Sequence, residues 1–497
     1  YNTTVKAHHQ MPEGSFMQHS VQAVVLAAGK STRFRTGTSK LVKHICGQEL
    51  IVYPVKMLKK LGIPITLVVG YQAGDIKKVL QERVDYPINY AEQKEQRGTG
   101  HALLASQSFW QADNILVING DMPLMTHDVI QDLINKHNSS NAAISFVTAH
   151  CNDPSVVGFG RVIEKDGITS IVEAIDFEGS FEEDCCINAG AYLIKKSFLE
   201  GHIKKLEANK PKNEFYITDL VKLASEEKLP LVMHSAPFDK VRGVNTLREL
   251  WAAEQIKRAE IITHWMYNGV SFSVAQNVHI HLDVEIGPGT YIGSGVQILR
   301  GSKIGSHCMV AAFSKIKCST IGDNSVIHPH TLVHDSIVED NAAVGPFAHV
   351  HENSTVKSGA KIGNFVEVRN SVIGKFSKAP HMSYLGQTQV GENVSIGAGT
   401  VTCDHDGTKL QKTHIQDCAY IGANNALVAP LTIGKASFTA AGSTITKNVP
   451  SQALAIARER QTNKLNYAPT LRADKQNPNK DSAFIPAKKT APERHNL

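Results

Sequence analysis

Between residues 284 and 447 the chain carries a six-residue period that few architectures can satisfy. An apolar branched residue, usually Ile or Val, is followed by a small or acidic residue, with another small residue three positions later. The unit recurs as Ile286-Gly287-Pro288-Gly289-Thr290, Ile292-Gly293-Ser294-Gly295-Val296, Ile321-Gly322-Asp323-Asn324-Ser325, Ile362-Gly363-Asn364-Phe365-Val366 and Ile396-Gly397-Ala398-Gly399-Thr400. Neither a heptad nor a simple strand alternation produces this spacing. A triangular coil with a short strand and a turn on each side does. Each branched side chain points inward and stacks on its equivalent in the next coil, burying a continuous apolar column. Glycine or asparagine at the corners relieves a turn geometry that a bulky side chain would strain. The segment is expected to be a parallel β-helix.

The first half follows a different rhythm. Residues 21–28 read VQAVVLAA, the near-continuous apolar run of a strand buried on both faces, and lead into a glycine-containing loop. Helical patterns at 51–61, 73–81 and 100–109, and one starting near 126, alternate with strands at 65–69, 88–90, 114–119 and 142–147. This is a doubly wound α/β domain with a mostly parallel sheet. The short runs 159–164, 168–172 and 187–194 are expected as antiparallel additions at one edge, leaving room for a sugar-binding face. Residues 246–264 contain few breakers and end at Asn268 and Gly269, which predicts one long helix with Gly269 near its C-terminal cap, a rigid arm between two domains. The predicted partition is a disordered leader 1–20, an α/β domain 21–245, a linker helix 246–269, a β-helix domain 270–460 and an extended or disordered tail 461–497.

Composition excludes some function classes. Fifty-two Lys plus Arg against 46 Asp plus Glu give a net charge of +6, too small to suggest a nucleic-acid partner but compatible with a cleft for polyphosphate. The eight cysteines follow no metal-binding spacing, and Cys308, Cys318 and Cys418 read as reduced, small apolar fillers in a reducing compartment. No run approaches the roughly 18 apolar residues of a membrane span. A cytoplasmic location without membrane insertion is expected.

Two places carry chemistry. The loop Leu26-Ala27-Ala28-Gly29-Lys30-Ser31-Thr32-Arg33-Phe34, with Lys40 beyond it, combines small residues that let backbone approach a base or phosphate with two cations at the C-terminal end of the sheet. It matches neither the dinucleotide nor the P-loop fingerprint, and a tight turn with surface cations is the plain alternative. Asp121, at the end of a strand, suits a hard divalent ion such as Mg²⁺, or simply a turn. In the second half the six-residue period breaks between 377 and 390, which is expected to mark a loop or altered corner. His381 falls there, with an imidazole able to act as general base near neutrality. Among 23 histidines most are not catalytic, and His328, His330, His334 and His349 read as surface corner residues.

The order LAAGKSTRF, Lys40, Gln93, Arg97-Gly98-Thr99-Gly100-His101, Asn119-Gly120-Asp121, Gly158-Phe159-Gly160-Arg161, Ile187-Asn188-Ala189-Gly190, the segment EFYITD at 214–219 and Gly243-Val244-Asn245 resembles the sugar-nucleotide pyrophosphorylases. Followed by a long helix and hexapeptide repeats, it resembles the bacterial bifunctional N-acetylglucosamine-1-phosphate uridyltransferases and glucosamine-1-phosphate N-acetyltransferases over approximately residues 21–460.

That resemblance implies a Rossmann-like mixed-sheet head on a left-handed β-helix, Mg²⁺ as cofactor, UTP, acetyl-CoA and sugar 1-phosphates as substrates, and a homotrimer with sites between neighbouring β-helices. Leu26, Ala27, Ala28, Gly29, Gln93, Gly98 and Thr99 would hold the nucleotide. Arg33 and Lys40 would bind the triphosphate and act in catalysis, and Asp121 and Asn245 would hold the metal. Gly160, Glu173 and Asn188 would bind the N-acetylglucosamine moiety. In the second site His381 would be the base, His351, Arg369, Tyr384 and Ser395 would meet the sugar phosphate, and Ala398, Ala423, Ala441, Lys447 and Arg458 would line the coenzyme A site.

The chain departs from the family pattern at several points. Asn119 stands for a tyrosine, Ala174 and Ile175 for a basic pair, His351 for an arginine, Arg369 for a lysine, Ser395 for an asparagine, Asp404 and His405 for an Asn-Tyr pair and Ala423 for a serine. These departures predict that uridyl transfer is retained and acetyl transfer is weakened, retuned or turned to a related amino sugar. A uridyltransferase on a purely trimerising β-helix, a head with another sugar or nucleotide specificity, and a scaffold with an inactive head are the competing readings. In a bacterium the product would feed peptidoglycan and, in a Gram-negative cell, lipopolysaccharide.

Overall fold

In the computed structural model, which describes residues 20–34, 37–70, 72–151, 158–174, 176–177, 185–209 and 213–469, the first apolar run is a strand, β1 (Val21–Ala27), buried on both faces. The leader 1–20 and the tail 461–497 lie largely outside these residues. A hairpin of β2 (His44–Ile45) and β3 (Gln48–Glu49) follows. The chain then alternates α1 (Val52–Lys60), β4 (Ile65–Val69), α2 (Ala73–Arg83), β5 (Ile88–Glu92), α3 (Thr99–Ala105), β6 (Asn114–Asn119), α4 (His127–Ser139) and β7 (Ile144–Cys151). After these come β8 (Arg161–Lys165), β9 (Ile168–Val172), β10 (Cys185–Lys195), α5 (Lys196–His202), α6 (Asp219–Glu226), β11 (Leu231–Ser235) and α7 (Phe238–Val241).

The main sheet runs β11-β7-β10-β6-β1-β4-β5. The strands β6, β1, β4 and β5 are mutually parallel, so their C-terminal ends share one edge of the sheet, where ligand loops gather. One expectation is overturned: β10 is no edge addition but lies between β6 and β7, antiparallel to both. Its sequence explains why, because Ile187, Ala189 and the run Ala191 to Ile194 are all buried, as two-sided covering demands. The register shifts between Asn188 and Tyr192, a bulge that re-aims the strand next to Asn188. Only the β8–β9 hairpin lies off the main path, attached to β10 through Arg161 and Ile187.

The long helix is α8 (Leu247–Tyr267). Thr246 caps it, accepting from the Glu249 amide at 3.2 Å, while Glu249 Oε2 accepts from the Asn245 amide at 2.6 Å: a variant of the capping box in which the glutamate reaches one residue further back and so fixes Asn245. Gly269, with φ +82°, ends it. The helix is anchored at both sides, because one apolar cluster runs from Phe34, Ile45 and Tyr53 through Ala253 and Ile261 into the solenoid interior.

From Ser271 the chain builds three parallel sheets of 11, 10 and 9 short strands, one for each side of the coil. Ile292, Val310, Ile327, Val344, Ile362 and Ala379 are successive partners in one inward column and are essentially inaccessible to water. Each such branched side chain contributes roughly 2 kcal/mol on burial.

Three details differ from expectation. The corners do hold left-handed residues, but many are bulky: Phe313, His330, Phe347, Phe365 and Met382 all have positive φ. Their cost of roughly 1–2 kcal/mol each is offset in part by stacking, with ring centroids 5.2, 4.9 and 5.3 Å apart from Phe313 to Phe365. The glycine after the branched residue answers to coil spacing instead; a Cβ on Gly322 would lie 2.6 Å from the Asp340 nitrogen in the next coil. Cys308 is a buried filler, whereas Cys318 and Cys418 are exposed corner residues.

Nor do residues 377–390 form a loop. Lys378–His381, Tyr384–Gly386 and Thr388–Val390 continue the three sheets in register. The interruption comes later, at 404–412, where coil partners such as Thr388 and Thr413 are 25 positions apart instead of 17 or 18. Among the described residues no helix is long and apolar enough to cross a membrane.

Candidate active sites

At the C-terminal edge of the head sheet, Ala27 and Ala28 are buried and a Cβ on Gly29 would meet nothing within 4 Å, which leaves that side of the loop open. Asp121 follows β6, whose end is tied to the loop by the Gly120 amide donating to the Leu26 carbonyl at 2.9 Å. The Val244 amide donates to the Asp121 carbonyl at 3.0 Å and so brings the 243–245 segment alongside. Asn245, held from behind by the capping box, presents Oδ1 to two cations: Lys40 Nζ at 2.8 Å and Arg33 Nη2 at 3.1 Å. The Lys40 ammonium also pairs with the Asp121 carboxylate. Four predicted residues therefore meet at one point.

That point fits a hard cation. A carboxylate and an amide oxygen are the oxygen donors that Mg²⁺ prefers. Both already converge on a positive charge, the Lys40 ammonium.

The residues expected to hold the nucleotide form a second set. Gln93 is buried, donating to the Gly98 carbonyl at 3.1 Å and touching His101 Nδ1 at 3.0 Å. Gly98 has φ +93°, and a Cβ there would lie 2.7 Å from the Phe215 nitrogen. No other residue suits both demands. Thr99 Oγ1 accepts from the Ile217 amide at 3.0 Å, so the segment 214–219 is laced onto the nucleotide turn. His101 and Thr218 are contacts that motif reading did not assign.

Gly160 and Asn188 are adjacent, the Asn188 amide donating to the Gly160 carbonyl at 2.9 Å. The Asn188 side chain donates to the Tyr192 hydroxyl at 2.6 Å and accepts from the Gly190 amide at 3.1 Å, so the bulge orients it. Glu173 Oε1 accepts from Thr218 Oγ1 at 2.9 Å. Asn119 packs against the bulge, where a Cβ on Gly190 would lie 2.5 Å from its Nδ2. Ile175 lies outside the described residues.

On the solenoid, His381 is exposed at the end of its strand, and Nδ1 lies 2.7 Å from Asn364 Oδ1 one coil away. An amide oxygen only accepts, so Nδ1 donates, and in the neutral ring the lone pair then sits on Nε2. Asn364 thus orients the His381 imidazole, a contact no single-residue motif announces. Ala398, Ala423 and Ala441 occupy equivalent corners of successive coils. The Asn424 amide donates to the Ala398 carbonyl at 2.7 Å, the Gly442 amide to the Ala423 carbonyl at 2.8 Å and the Arg458 guanidinium to the Ala441 carbonyl at 2.8 Å. Lys447 is exposed nearby in sequence.

His351, Arg369 and Tyr384 lie on three successive strands of one outer face. Ser395 is on the neighbouring face, beside Lys378, and so is not part of that row. The Tyr384 hydroxyl donates to Asp404 Oδ2 at 3.1 Å, and burial followed by the Asp404 carboxylate pushes its pKa up to about 12, which keeps the donor protonated. Asp404 also lies 3.6 Å from Arg369 Nη2, and Glu352 lies 3.6 Å from Arg369 Nε. The one guanidinium of this row is already flanked by two carboxylates.

Residues 23–250 match the family model of the MobA-like NTP transferase domain, and residues 272–377 that of the GMPPB C-terminal domain. The bifunctional protein GlmU of Exiguobacterium sibiricum is 36% identical over 451 residues, covering 90% of this chain and 99% of that one. GlmU of Thermodesulfovibrio yellowstonii is 37% identical over 455 residues, with 90% and 99% covered. GlmU of Thermotoga maritima is 35% identical over 443 residues, with 89% and 97% covered.

Proposed function

This chain belongs to the family of the bifunctional protein GlmU, and from that premise we propose that it is a bifunctional enzyme, a uridyltransferase and an acetyltransferase acting on amino-sugar phosphates. The observation that carries the reading is the convergence of Arg33, Lys40, Asp121 and Asn245 at the nucleotide edge of the sheet.

In the first reaction a phosphate oxygen of N-acetylglucosamine 1-phosphate attacks the α-phosphorus of UTP in line. A new P–O bond forms, the α–β bond breaks, and pyrophosphate leaves. The attacking oxygen is already anionic, so no general base is needed. Arg33 and Lys40 neutralise the charge that builds on the phosphates, and Gln93, Gly98 and Thr99 hold the nucleoside. Asp121 and Asn245 would hold Mg²⁺, which supplies further neutralisation of the triphosphate. Gly160, Glu173 and Asn188 orient the sugar.

In the second reaction the amine of glucosamine 1-phosphate attacks the thioester carbon of acetyl-CoA. His381 Nε2 takes the proton that the nitrogen loses and passes it to the sulfur as the C–S bond breaks, so coenzyme A leaves as the thiol. Asn364 keeps the ring in the tautomer this requires. The row of alanines at 398, 423 and 441, with Lys447 and Arg458, would take the coenzyme. A homotrimer would cover the exposed apolar edge of Phe313, Phe347, Phe365 and Met382 beside His381. UDP-N-acetylglucosamine, the product, is a precursor for peptidoglycan.

The carboxylates around Arg369 favour a second-site reaction slower than the first, because the sugar phosphate must compete with Asp404 and Glu352. Purified protein given UTP and N-acetylglucosamine 1-phosphate should release pyrophosphate, and given acetyl-CoA and glucosamine 1-phosphate should release thiol more slowly. Absence of pyrophosphate release with Mg²⁺ present would sink the head assignment. Acetyl turnover as efficient as uridyl transfer would sink the slower-site reading.

A further inference from the structure

The outer face that carries Arg369 and Tyr384 also carries a cluster of which the two transfers use at most His351. His349 and His351 flank the inward-facing Val350, so strand alternation puts both imidazoles on the outside of the coil. In the next coil Glu367 is the direct partner of His349. His334, one coil earlier, turns its ring toward His349 with centroids 5.5 Å apart. These histidines are strand residues, not the corner residues that their number in the sequence suggests.

One donor atom each from His349, His351 and Glu367 lies within 4.8 Å of the others, and His351 Nε2 is already 3.1 Å from Glu367 Oε1. Two ring nitrogens in the cluster, His349 Nε2 and His334 Nε2, are buried and have no hydrogen-bond partner among the described residues. A buried ring nitrogen without a partner is destabilising unless something fills it. A water or a neighbouring hydroxyl could serve a lone acceptor. The orphaned His349 nitrogen beside a second imidazole and a carboxylate, with His334 at the edge, suits a ligand that accepts several lone pairs at once.

We propose that His349, His351 and Glu367 form a binding site for a divalent transition metal of the zinc class, with His334 beside it. Two imidazoles and one carboxylate are the donor set of borderline first-row ions and leave a coordination position open; Mg²⁺, which wants oxygen, is excluded. Donors in a formed tetrahedral site with bonds of about 2.0–2.1 Å stand roughly 3.3 Å apart, so the side chains close by about 1.5 Å at most, and the His349 and His351 rings, stacked at 4.0 Å with 11° between their planes, turn so that each points a nitrogen at the ion. The ion would tie two coils together. On the acetyl-transfer reading it would also place fixed positive charge next to Arg369, in the position where His351 replaces the family's arginine.

The probe is Zn²⁺ alone, titrated by calorimetry into the full chain after dialysis against a chelator. One tight site per chain is expected, weakened at least tenfold in His349→Ala and several-fold in Glu367→Gln and not displaced by a large excess of Mg²⁺. Uridyl transfer in both variants, expected unchanged, reports that they fold. A visible spectrum of the Co²⁺-loaded wild-type chain should show bands of nitrogen and oxygen ligation in a low-coordinate site. Zinc binding that is identical in the wild type and both variants, or no tight site in the wild type, overturns the proposal. Neither result touches the two transfer reactions, which are read by product formation.

Discussion

Asn245 Oδ1 accepts from Lys40 Nζ at 2.8 Å across 205 residues of sequence. The contact exists because three local devices agree: the Val244–Asp121 backbone bond, the capping box at Thr246 and Glu249, and the short turn that begins at Lys40. It places a cation between the two oxygens proposed to hold Mg²⁺. Lys40→Met removes that charge and should lower kcat/KM for uridyl transfer by at least 100-fold. Steady-state pyrophosphate release checks it, and a loss below tenfold would show that Lys40 is only a surface cation.

On the proposed reading Asp404 competes with the sugar phosphate for Arg369. Replacing it by Asn keeps a partner for the Tyr384 hydroxyl but removes a negative charge 3.6 Å from the guanidinium. Asp404→Asn should lower KM for glucosamine 1-phosphate about fivefold, equivalent to roughly 1 kcal/mol, and leave KM for acetyl-CoA unchanged. A raised KM would mean that Asp404 positions Arg369 and does not merely occupy it.

His137 gives the head an acid sensitivity. Its ring is buried between Ser145 Oγ at 2.8 Å and Asn114 Oδ1 at 3.1 Å. Burial, with a smaller contribution from Lys195, pushes its pKa from 6.5 down to about 4. The unfolded chain therefore binds a proton that the folded chain refuses. Stability is fully present above pH 6.5 and declines as pH falls toward 4, by roughly 2–3 kcal/mol from this one group. Denaturation midpoints of the wild type and His137→Gln between pH 7 and 4.5 check it, the variant losing less over that window.

Gly98→Ala tests the nucleotide wall. The substitution meets both a left-handed backbone and the Phe215 main chain, so the turn must shift and KM for UTP should rise at least tenfold. Acetyl transfer should be unaffected, since Gly98 contributes nothing to the solenoid. Equal loss of both activities would point to general unfolding.

The parts of this molecule that repeat or run unbroken were legible in sequence. The inward column of Ile and Val, the buried strands β1, β4 and β6, and the long helix follow from local periodicity. The central place of β10 was not read, because short spacing suggested an edge; its two-sided apolar run carried the signal. The break in period at 377–390 suggests a loop or an altered corner around His381, yet the strands there keep the coil register, because Ala379 and Leu385 still point inward. At the sites, motif order located Arg33, Lys40, Asp121 and Asn245. Contacts between distant segments were another matter: Asn364 beside His381, and Asp404 and Glu352 around Arg369, become visible only when coils stack, since partners 17 residues or more apart in sequence share no local pattern.

The claim at the centre of the account is that two independent active sites share one chain, and a double dissociation tests it most directly. Both transfers are assayed on the wild type, Lys40→Met and His381→Ala. The account predicts that Lys40→Met loses uridyl transfer at least 100-fold with acetyl transfer intact, and that His381→Ala loses acetyl transfer by roughly 100-fold or more with uridyl transfer intact. A wild type that lacks either activity, or a variant that lowers both to the same extent, would contradict it.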